Sequence, residues 1–341
     1  MPGFHLKSLE LDGSQTTAYG SGLSFDFSDE IPDGEQILAY AVALTACDVN
    51  YATQSSVSYE PVERFAIKLV PSLADNVVAV SVGLILTDYD GDAASEPQDV
   101  EDRLSLATVT VIAYADTSAD NSWRLCNAFD LASGKWSDDI PVPAGDPLYS
   151  RVMIAGFDFE YSDNDSHGVD ALQVLTGLEA GTQSNTVQIQ GSCTMDAQDK
   201  YDPPRATVDL AYLFQPTPQS GAVSTIQFVD ITPSWGDVSD SGMTASFSET
   251  VTVPDGYQLA AAALVMSRLD LDFGGYHDVG TIVTGLHSTI PTYSVGATGE
   301  TTVSGELRMN LYADELPDKQ IASDSSISAS IVAVFKPLPA S

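Results

Sequence analysis

The sequence predicts an all-β protein of three tandem antiparallel β-sandwich repeats, each of about 110 residues in a chain of 341. A single skeleton kept in register is the first reason: Phe25, Trp136 and Phe247 stand 111 positions apart, as do Pro32, Pro143 and Pro254, then Gly34, Gly145 and Gly256. An aliphatic residue precedes each proline (Ile31, Val142, Val253) and another follows each glycine (Ile37, Leu148, Leu259). The second reason is that apolar residues fall in short runs with no sustained helical period. The third is that Phe214-Gln-Pro216 and Phe335-Lys-Pro337 close the second and third units alike. Repeat boundaries follow at 1–117, 118–220 and 221–341.

Unit one opens on the alternating Phe4–Leu11, an edge strand ended by Asp12-Gly13. Proline presets its own φ and glycine takes a positive φ at little cost, so Pro32-Asp-Gly34 and its echoes are turns between two strands. The nearly unbroken run Ile37–Val49 reads as a central strand buried on both faces, and Val77–Leu86 as another. Tyr51–Glu63 is polar and reads as a loop, with one helical turn near Val62–Phe65; the acidic stretch from Asp88 to Asp102 reads as an excursion before the closing strand Ala107–Tyr114. Unit two predicts strands at Trp123–Phe129, Tyr149–Phe159, Thr186–Met195 and Ala206–Phe214, followed by a Pro-rich linker over Gln215–Gly221. Unit three repeats the plan with Thr225–Ile231, Tyr257–Leu269, Thr301–Leu311 and Ser326–Phe335.

Charge narrows the function more than the repeats do. Forty-eight acidic residues against 13 basic ones give a net charge of −35. In dilute buffer these charges repel over a long range, and molar salt shortens that range to about 3 Å. An Asp-rich, Lys-poor, β-rich chain is expected of a protein adapted to brine, the alternative being an ordinary acidic secreted or surface protein. Nucleic acid is disfavoured as a partner because no basic stripe is available to neutralise phosphates. Cys47, Cys126 and Cys193 lie in strand-like runs and predict buried free thiols. The amino terminus shows no charged and apolar leader, and no stretch is long and apolar enough for a membrane span, so the expectation is a protein that stays in the cytoplasm or leaves inside a particle, without membrane insertion.

The chemistry-bearing pattern is a polar pair fifteen or sixteen residues after each turn proline: Asp48 and Asn50, Asp158 and Glu160, Asp270 and Asp272. Alternation places the two members of a pair on one strand face with their carboxylates adjacent. Two readings stand side by side. Asp48, Asp158, Glu160, Asp270 and Asp272 form oxygen sites for Ca²⁺ or Mg²⁺, or they mark the solvated ends of strands in an acid-rich protein. Asp88, Asp90 and Asp92 around Gly91 resemble the start of a calcium loop, but position 99 is Asp where a bidentate Glu belongs. His167 and His277 occupy matching loops without the companions zinc needs. No nucleophile elbow, His-Glu-x-x-His, phosphate loop or dinucleotide fingerprint is present, so no enzyme and no required cofactor are expected.

Each unit runs as an aromatic residue, an aliphatic–Pro turn, an apolar strand ending in Asp, a Val-rich strand, an alternating strand, and a closing strand such as Ser328–Phe335. In that order it resembles the six-stranded sandwich of H-type lectins, which implies a fold that trimerises and binds amino sugars. The whole chain is similar in style to virion surface proteins of haloarchaeal tailed viruses. That likeness implies a non-enzymatic structural protein on the capsid exterior, with a tail component as second choice, and capsid or other virion proteins as partners. The rival is a lectin-like adhesin or tail fibre that binds host surface glycans. Its aromatic platform would come from Tyr51, Tyr161 and Phe273, or from Trp123, Trp136 and Trp235. A homo-oligomer, trimeric or pentameric, is expected, the three units of a chain either stacking as a column or forming a pseudo-threefold body.

Overall fold

Runs of β-branched and aromatic residues with a period of two dictate the architecture, because such side chains pack on a pleated surface and alternate between its faces. The structure, a computed structural model, describes residues 3–12, 21–49, 64–87, 106–117, 124–144, 147–161, 169–197, 205–216, 224–231, 243–272, 283–288, 291–312 and 326–339. The first third holds β1 (Gly3–Asp12), β2 (Ser21–Asp26), β3 (Gln36–Val49), β4 (Arg64–Ala74), β5 (Val77–Thr87) and β6 (Leu106–Asp116). The second holds β7 (Leu125–Ala132), β8 (Lys135–Trp136), β9 (Ile140–Pro141), β10 (Pro147–Glu160), β11 (Val169–Ala180), β12 (Thr186–Ala197) and β13 (Arg205–Pro216). The third holds β14 (Thr225–Ile231), β15 (Met243–Thr252), β16 (Tyr257–Asp272), β17 (Val283–Ser288), β18 (Glu300–Tyr312) and β19 (Ser326–Pro337). The fold is all-β with antiparallel pairing, and among the described residues no helix is long and apolar enough to cross a membrane.

The strand order β1-β6-β3 and β2-β5-β4 of the first third recurs as β7-β13-β10 and β8-β12-β11, and again as β14-β19-β16 and β15-β18-β17. No sheet belongs to one third alone. β3 pairs with β17, β10 with β4, and β16 with β11, so each long sheet joins three strands of one third to three of another. These three pairings close a cycle among the thirds of the chain. They also occupy the strand edges that would otherwise lie open at β3, β4 and their counterparts.

A β-bulge makes this double pairing possible. Each long strand skips two residues against its neighbour: Leu38 and Thr45 in β3, Leu148 and Ala155 in β10, Ala260 and Ser267 in β16. A bulge bends the strand and strengthens its twist, so the half after the second bulge leaves its own third and meets the next. The half before it lines a shared core. Phe4, Tyr114, Ala41, Leu125, Met153, Leu213, Ile226, Val265 and Val334 pack together there, drawing on β1, β3, β6 and their counterparts in both other thirds. A second core fills the sandwiches of the first two thirds around Phe25, Phe65, Phe157 and Tyr212, and a third lies around Phe247, Leu264 and Phe335. The turns follow the expected chemistry where they are described. The Pro32 carbonyl accepts from the Glu35 N–H at 3.1 Å with Gly34 at φ 88°, and Pro254 accepts from Tyr257 at 3.0 Å with Gly256 at 82°.

Two expectations are corrected. Arg64 and Phe65 begin β4 rather than a helical turn: Phe65, Ile67 and Leu69 alternate into the core while Lys68 stays on the outer face. Gln215 opens no free linker, because its buried side chain donates to Thr225 Oγ1 at 2.7 Å and accepts from the Ile226 N–H at 3.0 Å, clamping the second third to the third.

Candidate functional site

The acidic pairs fall where the thirds join. Asp48, Asp158 and Asp270 each stand three residues past the second bulge of their strand, on the segments that pair with β17, β4 and β11. The structure therefore separates them, one to a seam. Asp158 is the best defined. Arg64 grips its carboxylate with both ends of the guanidinium, Nε at 2.9 Å and a terminal nitrogen at 2.7 Å, and Lys68 Nζ lies 3.0 Å away. Burial alone would raise this carboxyl group, but the bonds from Arg64 and Lys68 outweigh it and hold it below the usual range. Two cations thus stand where a metal ion would. Glu160 is exposed at the end of the same strand, and Asp270 takes a 2.5 Å bond from Arg268. The side chains of Asp48 and Asp272 lie outside the described residues, as do Asn50, Asp88, Asp90, Asp92, His167 and His277. Among the described residues no three His, Cys, Asp or Glu side chains gather as a metal group.

Behind Asp158 sits Asp209, which sequence reasoning passed over. It is 5% exposed, and its carboxylate accepts from the Asp130 N–H at 2.7 Å. Burial pushes it up to about 6, with Asp130 and Asp158 adding repulsion against the pull of that N–H and Lys68. Lys68 also reaches Asp130, at 3.2 Å. The wider rule is that scarce cations are spent between thirds. Arg124 of the second third covers the Tyr114 ring of the first at 4.6 Å. Arg151 of the second meets Asp230 of the third at 2.9 Å and lies over Phe228. Lys336 of the third meets Glu30 of the first at 3.6 Å, beside Lys7 at 3.1 Å and the buried His5. Burial opposes the charge on Glu30, yet these partners bring it down to about 2. The thiols of the half-buried Cys126 and the buried Cys193 are pushed up to about 12 by desolvation and stay protonated.

The aromatic candidates divide sharply. Tyr161 is buried at 4% exposure within the sandwich core and is no platform. Tyr51, Phe273, Trp123 and Trp235 lie outside the described residues. Trp136 is 37% exposed, whereas its spacing partners Phe25 and Phe247 are at 0% and 5%. Pairing explains the difference: Trp136 stands opposite Gln190, next to the core-facing Gly191, whose added Cβ would meet Val208 at 2.0 Å. Gln190 and Trp136 therefore share the opposite, outer face. There the Cη2 edge of the Trp136 ring lies 3.5 Å from where a Cβ added to Gly177 would sit.

No protein-family model matches the chain, and no curated protein or solved structure matches it. Residue geometry alone carries the functional reading.

Proposed function

We propose that this chain is a non-enzymatic structural protein on the exterior of a halophilic virus particle, decorating or stabilising its capsid. The cyclic pairing of β3 with β17, β10 with β4 and β16 with β11 carries the reading. It makes one chain into a body with three like faces, and such a body fits the local threefold positions of a closed shell. Each third, with its two three-stranded halves, agrees with the six-stranded H-type-lectin likeness, and we infer that the chain is an internal triplication. The charge distribution supports the same reading. With a net charge of −35 and cations committed to joints between thirds, the outer surface is left acidic, suited to brine. Association with capsid proteins or further copies would run through the strands that end the sheets, β1, β15, β2, β7, β14 and β8.

Gene order and particle composition test the viral role: a neighbouring capsid or portal gene and the chain in purified particles support it, and a metabolic operon removes it. The halophilic half has its own test. Thermal unfolding should shift to markedly higher temperature as NaCl rises from 0.1 to 3 M, because screening relieves repulsion among surface carboxylates. A flat melting temperature over that range would sink the brine assignment.

A further inference from the structure

We infer that the outer face of the β8-β12-β11 half-sheet is a saccharide-binding site, with Trp136 as its stacking platform and a neutral, equatorially substituted hexopyranose as its ligand. The position is unusual within the molecule. Phe25 and Phe247, which the 111-residue spacing matches to it, are buried at 0% and 5%, whereas the one-residue offset of the second third puts Trp136 on the other face of its strand at 37%. Beneath the ring lies Gly177, with an added Cβ only 3.5 Å from the indole, and beside it the Gln190 side chain, tied by its amide N–H to the Gly134 carbonyl at 2.7 Å. The Cη2 edge of the indole is thus held close to the sheet, and the residue keeps 37% of its surface open to solvent.

The surroundings choose the ligand. On β12, Ile189, Cys193 and Met195 are buried, so Gln188, Gln190, Ser192 and Thr194 face outward by alternation. On β11 the outward residues opposite them are Glu179, Gly177, Leu175 and Gln173, the last two next to Arg268 and Asp270 across the seam. The β12 row nearest the ring is made of amides and hydroxyls, with the exposed Glu179 carboxylate opposite Gln188 at one end of it, in a protein carrying a net charge of −35. Such a rim donates and accepts hydrogen bonds without demanding an ion, and the overall field repels anionic ligands. An indole presents a large rigid surface at low entropic cost, and its negative π face attracts the weakly positive C–H groups on one side of a pyranose. Equatorial hydroxyl groups then point sideways to the Gln and Ser/Thr rim. The site stands on its own geometry and holds whether or not the chain belongs to a virus particle.

Saturation-transfer NMR in 3 M NaCl with cellohexaose and with chitohexaose tests it. Saturation should pass most strongly to the axial H1, H3 and H5 protons of the sugar ring, which share one face. One of the three indole N–H resonances should shift on titration, and that peak should be missing from W136F. W136F should bind within a few-fold of the unaltered chain, and W136A at least ten-fold more weakly with an unchanged melting temperature. No transfer to either sugar, transfer without a shift of the Trp136 resonance, or undiminished binding by W136A overturns the proposal. If W136A unfolds, the indole shift and the W136F comparison still decide.

Discussion

The seam of β4 with β10 and the seam of β11 with β16 hold matching places in the strand order, yet different chemistry surrounds them. The first has four paired residues, from Phe157 opposite Ile67 to Glu160 opposite Arg64, and three side chains, Arg64, Lys68 and Asp158, locked across it. The second has five paired residues, a 2.9 Å bond from Thr176 Oγ1 to the Ser267 carbonyl, and an exposed Arg268–Asp270 pair. Backbone pairing and apolar packing are common to both, and the ions are not. The ring is therefore closed by strand geometry; the charges that cross the β4–β10 seam tune its response to pH and salt, while the Arg268–Asp270 pair stays within β16. Packing at the backbone should matter most, the buried charge next, and the surface pair least.

The largest effect is expected at Gly156. A Cβ there would sit 2.3 Å from the Ile67 carbonyl oxygen across the β4–β10 seam, a clash with backbone that no side-chain rotation relieves. Gly156→Ala should cost about 3 kcal/mol or more, since overpacking a tight site commonly costs 1–3 and here the strand pairing itself must yield. Gly177→Ala meets only ordinary contacts at 3.5–3.7 Å. It should be neutral, or stabilise by about 0.4–1 kcal/mol through the restricted unfolded chain. Thermal unfolding of both variants in 3 M NaCl checks the contrast; equal losses would mean that the seams are not closed by backbone fit.

The pH dependence of the first seam comes next. Burial raises the carboxyl group of Asp209 in the folded chain to about 6 from its ordinary 3.8. A raised carboxyl group leaves stability intact below the unfolded value and removes it as pH climbs through the folded one. Between pH 4 and 7 the ionised, buried Asp209 should thus cost up to about 3 kcal/mol. Asp158 and Glu30 are depressed, so their contribution is present above their ordinary values and fades as pH falls toward 2. The melting temperature should peak near pH 5. Asp209→Asn keeps an acceptor for the Asp130 N–H and should remove most of the decline on the neutral side; a profile that matches the unaltered chain would show Asp209 to be paired in a way that these contacts do not describe.

Legibility in the sequence followed how each strand is buried. Strands such as β3, β16 and β19 have apolar residues facing cores on both sides, and their unbroken runs Ile37–Val49, Tyr257–Leu269 and Ser326–Phe335 announced them. β4, β11 and β17 went unread, and they are the strands that make the seams. Two of them keep a solvated face carrying Lys68, Gln173 and Glu179, and β17 spans only Val283–Ser288, so their alternation is diluted. Their partners across the seams are distant in sequence, Cys47 with Leu286 for example, and nothing local encodes such a pairing. The three acidic pairs were visible as a pattern, but the cations answering Asp158 were not, because Arg64 and Lys68 come from the unread strand. Trp136 shows a subtler failure. A constant spacing of 111 matched it to Phe25, whereas the bulges of the second third lie 110 positions after those of the first. In a strand of period two, a shift of one residue changes the face.

The smallest effect separates the ion cluster that crosses the β4–β10 seam from the pair that stays within β16. Asp158 is 13% exposed, with Arg64 at 29% and Lys68 at 31%, while Asp270 is 24% exposed and its partner Arg268 is 46%. Asp158→Asn keeps the shape of the side chain and removes the charge that answers both cations, at a cost of about 1–2 kcal/mol because the bonds are charge-assisted and half desolvated. Asp270→Asn should cost no more than about 0.5 kcal/mol, the usual worth of an exposed pair. Salt sharpens the difference. At 3 M the surface pair is screened to nothing, and removing one unit from an excess of 35 negative charges slightly favours folding at low salt. Asp158→Asn should then remain destabilising from 0.5 to 3 M NaCl, whereas the effect of Asp270→Asn should cross from slightly stabilising to zero. Melting curves of the two variants across that range read this directly. If the Asp158→Asn loss also vanishes at 3 M, the Arg64–Asp158–Lys68 cluster is solvated as fully as the Arg268–Asp270 pair, and the two sites differ in appearance only.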